Sequence, residues 1–308
     1  METWNRTEGF QLLGFFELPD MQLQLFVTFL LIYVMALSGN TLIIFVVCAE
    51  PHLHTPMYFF LCNLSLMDLS LISTILPKLL HICLTGHRNI TYLGCLTQIF
   101  SFVECVVSEY CILAIMAFDR YVAICNPLRY SAIMNRYLCT CLALIPWICG
   151  LLDSFTYMVL LTQYKFCKSN VINHLYCDLK PLLKLSCSNT RSAELVIQVS
   201  GSLFGFTPLV FITISYVFII FAILKIRSTK GKHKAFSTCS SHITVVILFF
   251  GIILGMYMRP KSAYSIEQDK VFSVLYTFCI PALNPVIYTL RNENVKVALR
   301  KLIKKVQR

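Results

Sequence analysis

Long apolar stretches separated by short polar ones dominate the chain. Seven windows reach the length of about 20 residues that an α-helix needs to cross the hydrocarbon core of a bilayer. We number these windows as spans 1 to 7, and they cover residues 23–49, 57–80, 92–124, 138–161, 193–226, 236–258 and 271–290. The pattern predicts an all-α membrane protein, a seven-transmembrane helix bundle.

The segments outside the spans complete a prediction of three regions. Residues 1–22 form a polar N-terminal tail, 23–290 the helix bundle, and 291–308 a cytoplasmic segment. In that last segment apolar residues recur among basic ones, which is typical of a short amphipathic helix lying on an anionic leaflet.

Composition and charge exclude two other classes of protein. Only 13% of residues are charged and 57% are hydrophobic, whereas a soluble domain carries about 25% charged residues. The net charge of +11 raises the question of nucleic acid. However, the basic residues collect in short loops beside apolar segments without interleaved aromatic residues, so we predict no nucleic-acid partner.

The distribution of basic residues predicts the orientation. More than half of the 26 Lys and Arg residues lie on one side, in 120–136, 225–234 and 291–308. Because cytoplasmic loops are enriched in Lys and Arg, we predict a multi-pass plasma-membrane protein with an extracellular N-terminus and a cytoplasmic C-terminus. Asn5 and Asn89 begin N-glycosylation sequons on the predicted outer side.

Four of the 15 cysteines lie on the predicted outer side, namely Cys95, Cys167, Cys177 and Cys187. An even number in an oxidising compartment predicts two disulfides. Four cysteines allow three pairings, and their spacing does not choose between them.

Several short motifs occur in order along the spans. Asp119 and Arg120 end span 3, where a charge in a membrane helix needs a partner or a function. Further motifs are Pro56–Leu61 at the start of span 2, Lys234–His242 at the start of span 6 and Pro281–Tyr288 in span 7. Taken together, they resemble the class II (tetrapod-type) branch of the odorant receptors, which are rhodopsin-like G-protein-coupled receptors.

This resemblance implies roles for several residues. It implies G-protein coupling and activation through Asp119, Arg120, Tyr121, Tyr216, His242, Asn284, Pro285 and Tyr288. It favours the pairing of Cys95 with Cys177 and of Cys167 with Cys187, with Cys95–Cys187 as the main rival.

A ligand pocket is predicted where helix faces converge in receptors of this shape. Helical spacing places its members on one face of each span, and the resemblance supplies the register. They are Phe102, Val103, Val106, Val107, Ser200, Phe204, Phe250, Ile253, Tyr257, Ser273, Tyr276 and Thr277. The family usually has a tyrosine where this chain has Phe250. The lining favours a compact, neutral or weakly polar ligand.

Two buried carboxyl groups, Asp68 in span 2 and Glu109 in span 3, are expected to face each other. Two carboxylates in a low-dielectric bundle cannot both ionise freely. We therefore expect them either to bind a cation such as sodium or to share a proton.

The resemblance implies a receptor that binds a small volatile ligand and activates a stimulatory G protein to raise cAMP. An alternative is the same fold sensing an endogenous metabolite in a non-olfactory tissue. A transporter or channel is a further alternative, although the sequence has no inverted repeat with paired broken helices. We predict no enzyme activity and no cofactor, because no nucleophile–base or metal constellation stands out.

Overall fold

The computed structural model describes residues 9–15, 21–167, 169–257, 266–291 and 293–306. Spans 1 to 3 are α1 (Gln22–Ala49), α2 (Pro56–Thr85) and α3 (Tyr92–Cys125). Span 4 is α5 (Arg136–Gln163), and span 5 consists of α7 (Arg191–Gly201), a π-helical turn (Ser202–Phe206) and α8 (Thr207–Lys225). Span 6 is α9 (Thr229–Tyr257), and span 7 consists of α10 (Ile266–Val274), a π-helical turn (Leu275–Cys279) and α11 (Ile280–Arg291).

Shorter helices lie between and after the spans. The connection between spans 3 and 4 holds a 3₁₀ turn (Pro127–Arg129) and α4 (Tyr130–Ile133), and a second 3₁₀ turn (Pro51–Leu53) joins spans 1 and 2. The loop after span 4 holds α6 (Leu179–Lys184), and α12 (Glu293–Val306) follows span 7. α12 alternates apolar and basic residues, as predicted for the amphipathic segment.

Local sequence signals explain where several helices begin and end. Thr91 caps α3 by accepting a hydrogen bond from the Gly94 amide (3.0 Å), and Asn135 caps α5 through the Leu138 amide (2.9 Å). α2 begins at Pro56, whose missing N–H costs nothing in the first turn. It ends before Gly86, whose φ of 71° favours glycine.

The helices fit a membrane environment. Within the described residues, six spans are long and apolar enough to cross a bilayer, and span 6 adds a shorter apolar segment, Cys239–Ile252. Large apolar side chains such as Leu31, Phe155 and Phe221 are exposed on the outside of the bundle. Because water would make that exposure costly, this surface faces lipid.

Several details differ from the predicted spans, and one is that span 7 begins at Ile266 rather than at 271. Span 6 begins at Thr229 rather than at 236, because the basic segment before the apolar stretch is already helical. Span 2 continues to Thr85 rather than 80, since Lys78 does not interrupt it. The π-helical turns in spans 5 and 7 carry one extra residue each, and hydrophobic periodicity does not reveal such turns.

A small sheet that the sequence did not suggest closes one end of the bundle. The strand β1 (Phe10–Leu12) lies between β2 (Asn89–Ile90) and β3 (Val171–Ile172). It pairs antiparallel with β2 and parallel with β3. Phe10 and Leu12 are buried in the core below. We call this end of the bundle the sheet end, and the opposite end the Arg120 end.

Close helix contacts occur where glycine removes a side chain. A Cβ on Gly39 in span 1 would lie 2.7 Å from the Cβ of Pro285 in span 7. Contacts of that length are not tolerated between carbon atoms. Gly39 therefore allows spans 1 and 7 to touch beside Asn40, and Asn40 Nδ2 donates to the Pro281 carbonyl (2.9 Å).

Candidate ligand site and signalling site

The loop after span 4 is fastened over the sheet end of the bundle. A disulfide joins Cys177 in this loop to Cys95 at the start of α3, and a second joins Cys167 to Cys187 within the loop. This is the pairing that the family resemblance implies. The Cys177 amide also donates to Gln98 Oε1 (3.0 Å). The residues just before Cys177 are therefore held against span 3.

Tyr176 inserts from this loop between the predicted pocket residues. Its side chain is fully buried, and its ring centroid lies 5.5 Å from that of Phe102. Its hydroxyl forms a hydrogen bond of 3.0 Å with Thr277 Oγ1 in span 7. Tyr176 thus contacts two predicted pocket residues on different spans.

His174 makes a second link between the loop and span 7. Its Nδ1 lies 3.2 Å from the Tyr176 carbonyl oxygen and its Nε2 lies 3.1 Å from Ser273 Oγ. A carbonyl can only accept, so in the neutral ring Nδ1–H donates and Nε2 accepts from Ser273. Burial lowers the pKa of His174 below its ordinary value, which favours this neutral form.

Below the loop, predicted pocket residues form a continuous aromatic contact. The ring centroid of Tyr276 lies 6.2 Å from that of Phe102 and 5.1 Å from that of Phe249. Phe250 is buried, and its ring centroid lies 5.5 Å from that of Tyr110. Spans 3, 6 and 7 meet here.

The remaining pocket predictions fall in different places. Val103 and Val107 are buried in the core, and Val106 and Phe204 are half-buried against it. Ser200 turns toward span 4, where its hydroxyl lies 2.8 Å from Asp153 Oδ2. The Ser200 hydroxyl is thus bonded to span 4, and its place in a ligand pocket stays a prediction. Ile253 and Tyr257 lie outside the residues whose side chains are described.

The middle of the bundle holds the two predicted carboxyl groups side by side. Asp68 is fully buried and accepts a hydrogen bond from Asn284 Nδ2 (2.9 Å), and Glu109 is its neighbour from span 3. Among the described residues, Asn40 Oδ1, Asp68 Oδ1 and Glu109 Oε1 have no hydrogen-bond partner. Such atoms are costly in a dry interior, so this group of oxygen atoms suits a cation, a water molecule or a shared proton.

At the Arg120 end, the predicted signalling residues are held by three contacts. The Arg120 guanidinium pairs with its neighbour Asp119, through Nε at 3.0 Å and also through Nη2. The carboxylate is completed by the Tyr130 hydroxyl of α4, which donates at 2.8 Å. Asp119 is fully buried, so these donors offset the cost of burying its charge.

Spans 3, 5 and 6 are linked at the same end by Tyr216 and His242. The His242 Nε2–H donates to the Leu113 carbonyl (3.1 Å) on span 3, and Nδ1 accepts from the Tyr216 hydroxyl (2.6 Å) on span 5. The rings of Tyr216 and His242 are also stacked. Tyr121 packs on Phe218 with ring centroids 6.0 Å apart, and Tyr288 is buried in span 7 with Pro285.

α12 is attached to the loop between spans 1 and 2. Val295 and Ala298 of α12 are buried. Lys301 Nζ donates to Oε2 of Glu50 (2.9 Å), the residue that directly follows span 1. Asn89, the second predicted glycosylation site, is exposed in β2, and Asn5 lies outside the described residues.

Sequence reasoning assigned no function to His174, Tyr176, Asp153 or Glu50. A usable signal existed for Tyr176, since a residue adjacent to a cysteine tied to span 3 must lie over the bundle. Asp153 lies within span 4 and Glu50 directly after span 1. Their partners, Ser200 and Lys301, are 47 and 251 positions away in the sequence.

Comparisons with known proteins agree with this architecture. Residues 29–306 match the family model described as olfactory receptor. The chain is 46% identical to human olfactory receptor 8D1 over 98% of both chains. It is 48% identical to human olfactory receptor 6Y1 over 96% of this chain and 91% of that protein. It is also 46% identical to mouse olfactory receptor 5AR1 over 96% of both.

The fold and these matches define a seven-helix G-protein-coupled receptor of the plasma membrane. The chain belongs to the olfactory receptor family. It is accordingly an odorant-sensing receptor and not an enzyme, with a small ligand, a G protein and membrane lipid as its classes of partner.

Proposed function

We propose that the receptor binds a small, mostly apolar volatile molecule beneath Tyr176. The observation that carries this proposal is the meeting of Phe102, Tyr176 and Tyr276 beside the hydroxyls of Ser273 and Thr277. Aromatic walls with a few placed hydroxyls suit a compact and weakly polar molecule. A ligand of about a dozen heavy atoms would bind with roughly micromolar affinity.

The hydroxyls set a condition on the ligand. Ser273 and Thr277 already bond to His174 and Tyr176. A polar ligand group must therefore either replace one of these hydrogen bonds or add a second bond to the same hydroxyl. An apolar ligand leaves both bonds intact. Because a lost hydrogen bond costs about 1 kcal/mol, the site favours ligands with at most one or two polar atoms.

Signal output would occur at the Arg120 end, with that end cytoplasmic and the sheet end extracellular. The basic residues of 225–234 and of α12 support this orientation. Outward movement of span 6 would break the Tyr216–His242 link and open the bundle beside Arg120, which would then leave Asp119 to bind a stimulatory G protein. A ligand shifts such an equilibrium only through its different affinities for the two states.

The Asp68–Glu109 pair, with Asn40, would hold sodium in the resting receptor. Its unpaired oxygen atoms Asn40 Oδ1, Asp68 Oδ1 and Glu109 Oε1 are the hard ligands that such a cation prefers. A single proton shared by the two carboxyl groups is the alternative, and it leaves no dependence on sodium.

The test is a screen of volatile compounds on cells that express the receptor with a cAMP reporter. The best agonist is then applied to Val106→Phe, which fills space beside Phe102, and to Val159→Phe, a matched change at an exposed valine of span 4. We expect the first variant to lose the response and the second to keep it, at equal surface abundance. Equal responses of both variants would place the ligand elsewhere.

The coupling step is tested with Arg120→Ala against Arg136→Ala, an exposed arginine at the same end of the bundle. We expect Arg120→Ala to bind the agonist without producing cAMP, while Arg136→Ala signals. Normal cAMP from a surface-expressed Arg120→Ala receptor would contradict the proposed mechanism.

A further inference from the structure

A groove opens between spans 5 and 6 on the outer surface of the bundle. Its volume is about 300 Å³, and it is lined by Ile212, Thr213, Tyr216, Val217, Ile220, Ile243 and Val246. Val217 and Ile220 are about half exposed, and Ile212 and Val246 form a buried floor. The groove therefore faces the lipid rather than the predicted ligand pocket.

The two polar side chains in the lining are already bonded. Thr213 Oγ1 donates to the Leu209 carbonyl (2.8 Å) within its own helix, and the Tyr216 hydroxyl bonds to His242 (2.6 Å). The groove therefore offers hydrocarbon surface, and its occupant must be an apolar chain rather than a polar ligand.

The depth of the groove matches the acyl region of one leaflet. Ile220 lies five residues before Lys225, and Ile212 thirteen residues before it, at the end of α8. At the helical rise of 1.5 Å per residue, the groove extends from about 7 to about 20 Å from Lys225. The hydrocarbon of one leaflet is about 15 Å thick, so the groove lies among acyl chains.

The groove leads to a segment of strong positive charge. Lys225 ends span 5 and Arg227 follows it, while Lys230 and Lys232 lie in the first turn of span 6; Lys225, Arg227 and Lys230 are exposed. Both walls of the groove therefore lead to basic residues at the depth of the lipid headgroups. Each such residue contributes to binding an anionic headgroup.

We propose that this groove binds one anionic phospholipid, with an acyl chain between spans 5 and 6 and its headgroup at Lys225, Arg227 and Lys230. We assign this lipid to the cytoplasmic leaflet, and only that assignment rests on the proposed orientation. The charge of the adjoining segment selects this lipid over a zwitterionic one.

The bound lipid acts on the signalling residues. Tyr216 forms both a wall of the groove and the link to His242. A chain seated against both spans stabilises the arrangement in which that link is intact. Outward movement of span 6 would separate the two walls, so the lipid opposes it and favours the resting receptor.

The test uses full-length receptor in phosphatidylcholine nanodiscs with a trace of phosphatidylserine that carries a photoreactive diazirine on its acyl chain. We expect labelled peptides from 212–220 and 243–246. Val217→Trp, which fills the groove, should lower that labelling about fivefold. Val210→Trp is the matched control, because Val210 is 56% exposed and Val217 is 45% exposed on the same helix, and Val210 does not line the groove.

The headgroup is tested with the double variant K225Q/R227Q against R136Q. We expect the double variant to lose roughly tenfold in phosphatidylserine labelling and R136Q to lose little. Equal labelling by a diazirine phosphatidylcholine, or undiminished labelling of Val217→Trp, would overturn the proposal. Unchanged labelling of the double variant would overturn the assignment to an anionic lipid.

Thermal unfolding of each variant shows that the receptor is folded, and labelling needs no odorant. The result is independent of the proposed ligand and of the G protein. Both leaflets of a nanodisc carry the probe, so labelling does not depend on the orientation of the receptor. An inverted orientation would change only which leaflet of a cell membrane supplies the lipid.

Discussion

The sheet end and the middle of the bundle differ in how completely their buried polar groups are hydrogen-bonded. At the sheet end His174, Tyr176 and Lys270 are buried and bonded, Lys270 to the Gly14 carbonyl (2.8 Å) and to Glu267. In the middle, Asp68 and Glu109 each retain an unpaired oxygen among the described residues. A fully paired network specifies one arrangement, whereas an incomplete one must recruit a water molecule, an ion or a proton. The first region is thus fixed, and the second is suited to change.

The largest effect is expected from breaking the fixed region at its disulfide. Cys95→Ser removes a link between residues 82 positions apart, which is worth about 4 to 5 kcal/mol. We expect surface abundance and the midpoint of thermal unfolding to fall sharply. Cys167→Ser is the control, because its loop spans only 20 positions and should cost less. A Cys95→Ser receptor as stable as the parent would show that the loop is held by its other contacts.

A smaller effect is expected at the tip of the loop. Tyr176→Phe removes the hydrogen bond to Thr277 and leaves the ring in place, at a cost of about 1 kcal/mol. The midpoint of unfolding should fall accordingly, while Tyr137→Phe, at a tyrosine 82% exposed, should change nothing. If the two variants unfold alike, the hydroxyl of Tyr176 does not stabilise the loop.

Acidification should weaken the same region by a smaller amount. Burial lowers the pKa of His174, with Lys270 lowering it further and Asp178, the Tyr176 carbonyl and Asp269 opposing the shift. A histidine with a lowered folded-state pKa contributes stability above its ordinary value of 6.5 and loses it as the pH falls below that value. The midpoint of unfolding should therefore decline below about pH 6.5, and His174→Asn should flatten the decline.

His87→Asn provides the control for acidification, because His87 is exposed. That variant should keep the pH dependence of the parent. A decline that is identical in the parent and in His174→Asn would assign the acid sensitivity to another group.

The smallest change in stability is expected in the middle of the bundle. Asp68→Asn keeps an acceptor for Asn284 and removes a buried charge. The free energy of unfolding in sodium-free buffer should therefore change by less than about 1 kcal/mol. Sodium chloride, compared with N-methylglucamine chloride, should stabilise the parent receptor and not the variant. A parent insensitive to sodium would favour the shared proton.

This contrast also separates what the sequence could predict from what it could not. Spans of apolar residues predict helices because the bilayer leaves the backbone no other partner. The aromatic and hydroxyl residues of spans 3 and 7 were predicted from helical spacing and a family register. The link between His174 and Ser273 was not, because it joins residues 99 positions apart through a loop without a periodic pattern. Ser200 shows the reverse case, since a shared helix face did not reveal its partner Asp153 on span 4.

The position of β1 has a consequence for biosynthesis. β1 precedes both of its partner strands in the chain, and its parallel partner Val171–Ile172 emerges about 160 residues later. At 5 to 20 residues per second, the strand waits roughly 8 to 30 s for that partner. During this time Phe10 and Leu12 have no complete core to enter, because residues of later spans form part of it. The final pairing of β1 then marks the point at which four spans and the loop after them have been synthesised.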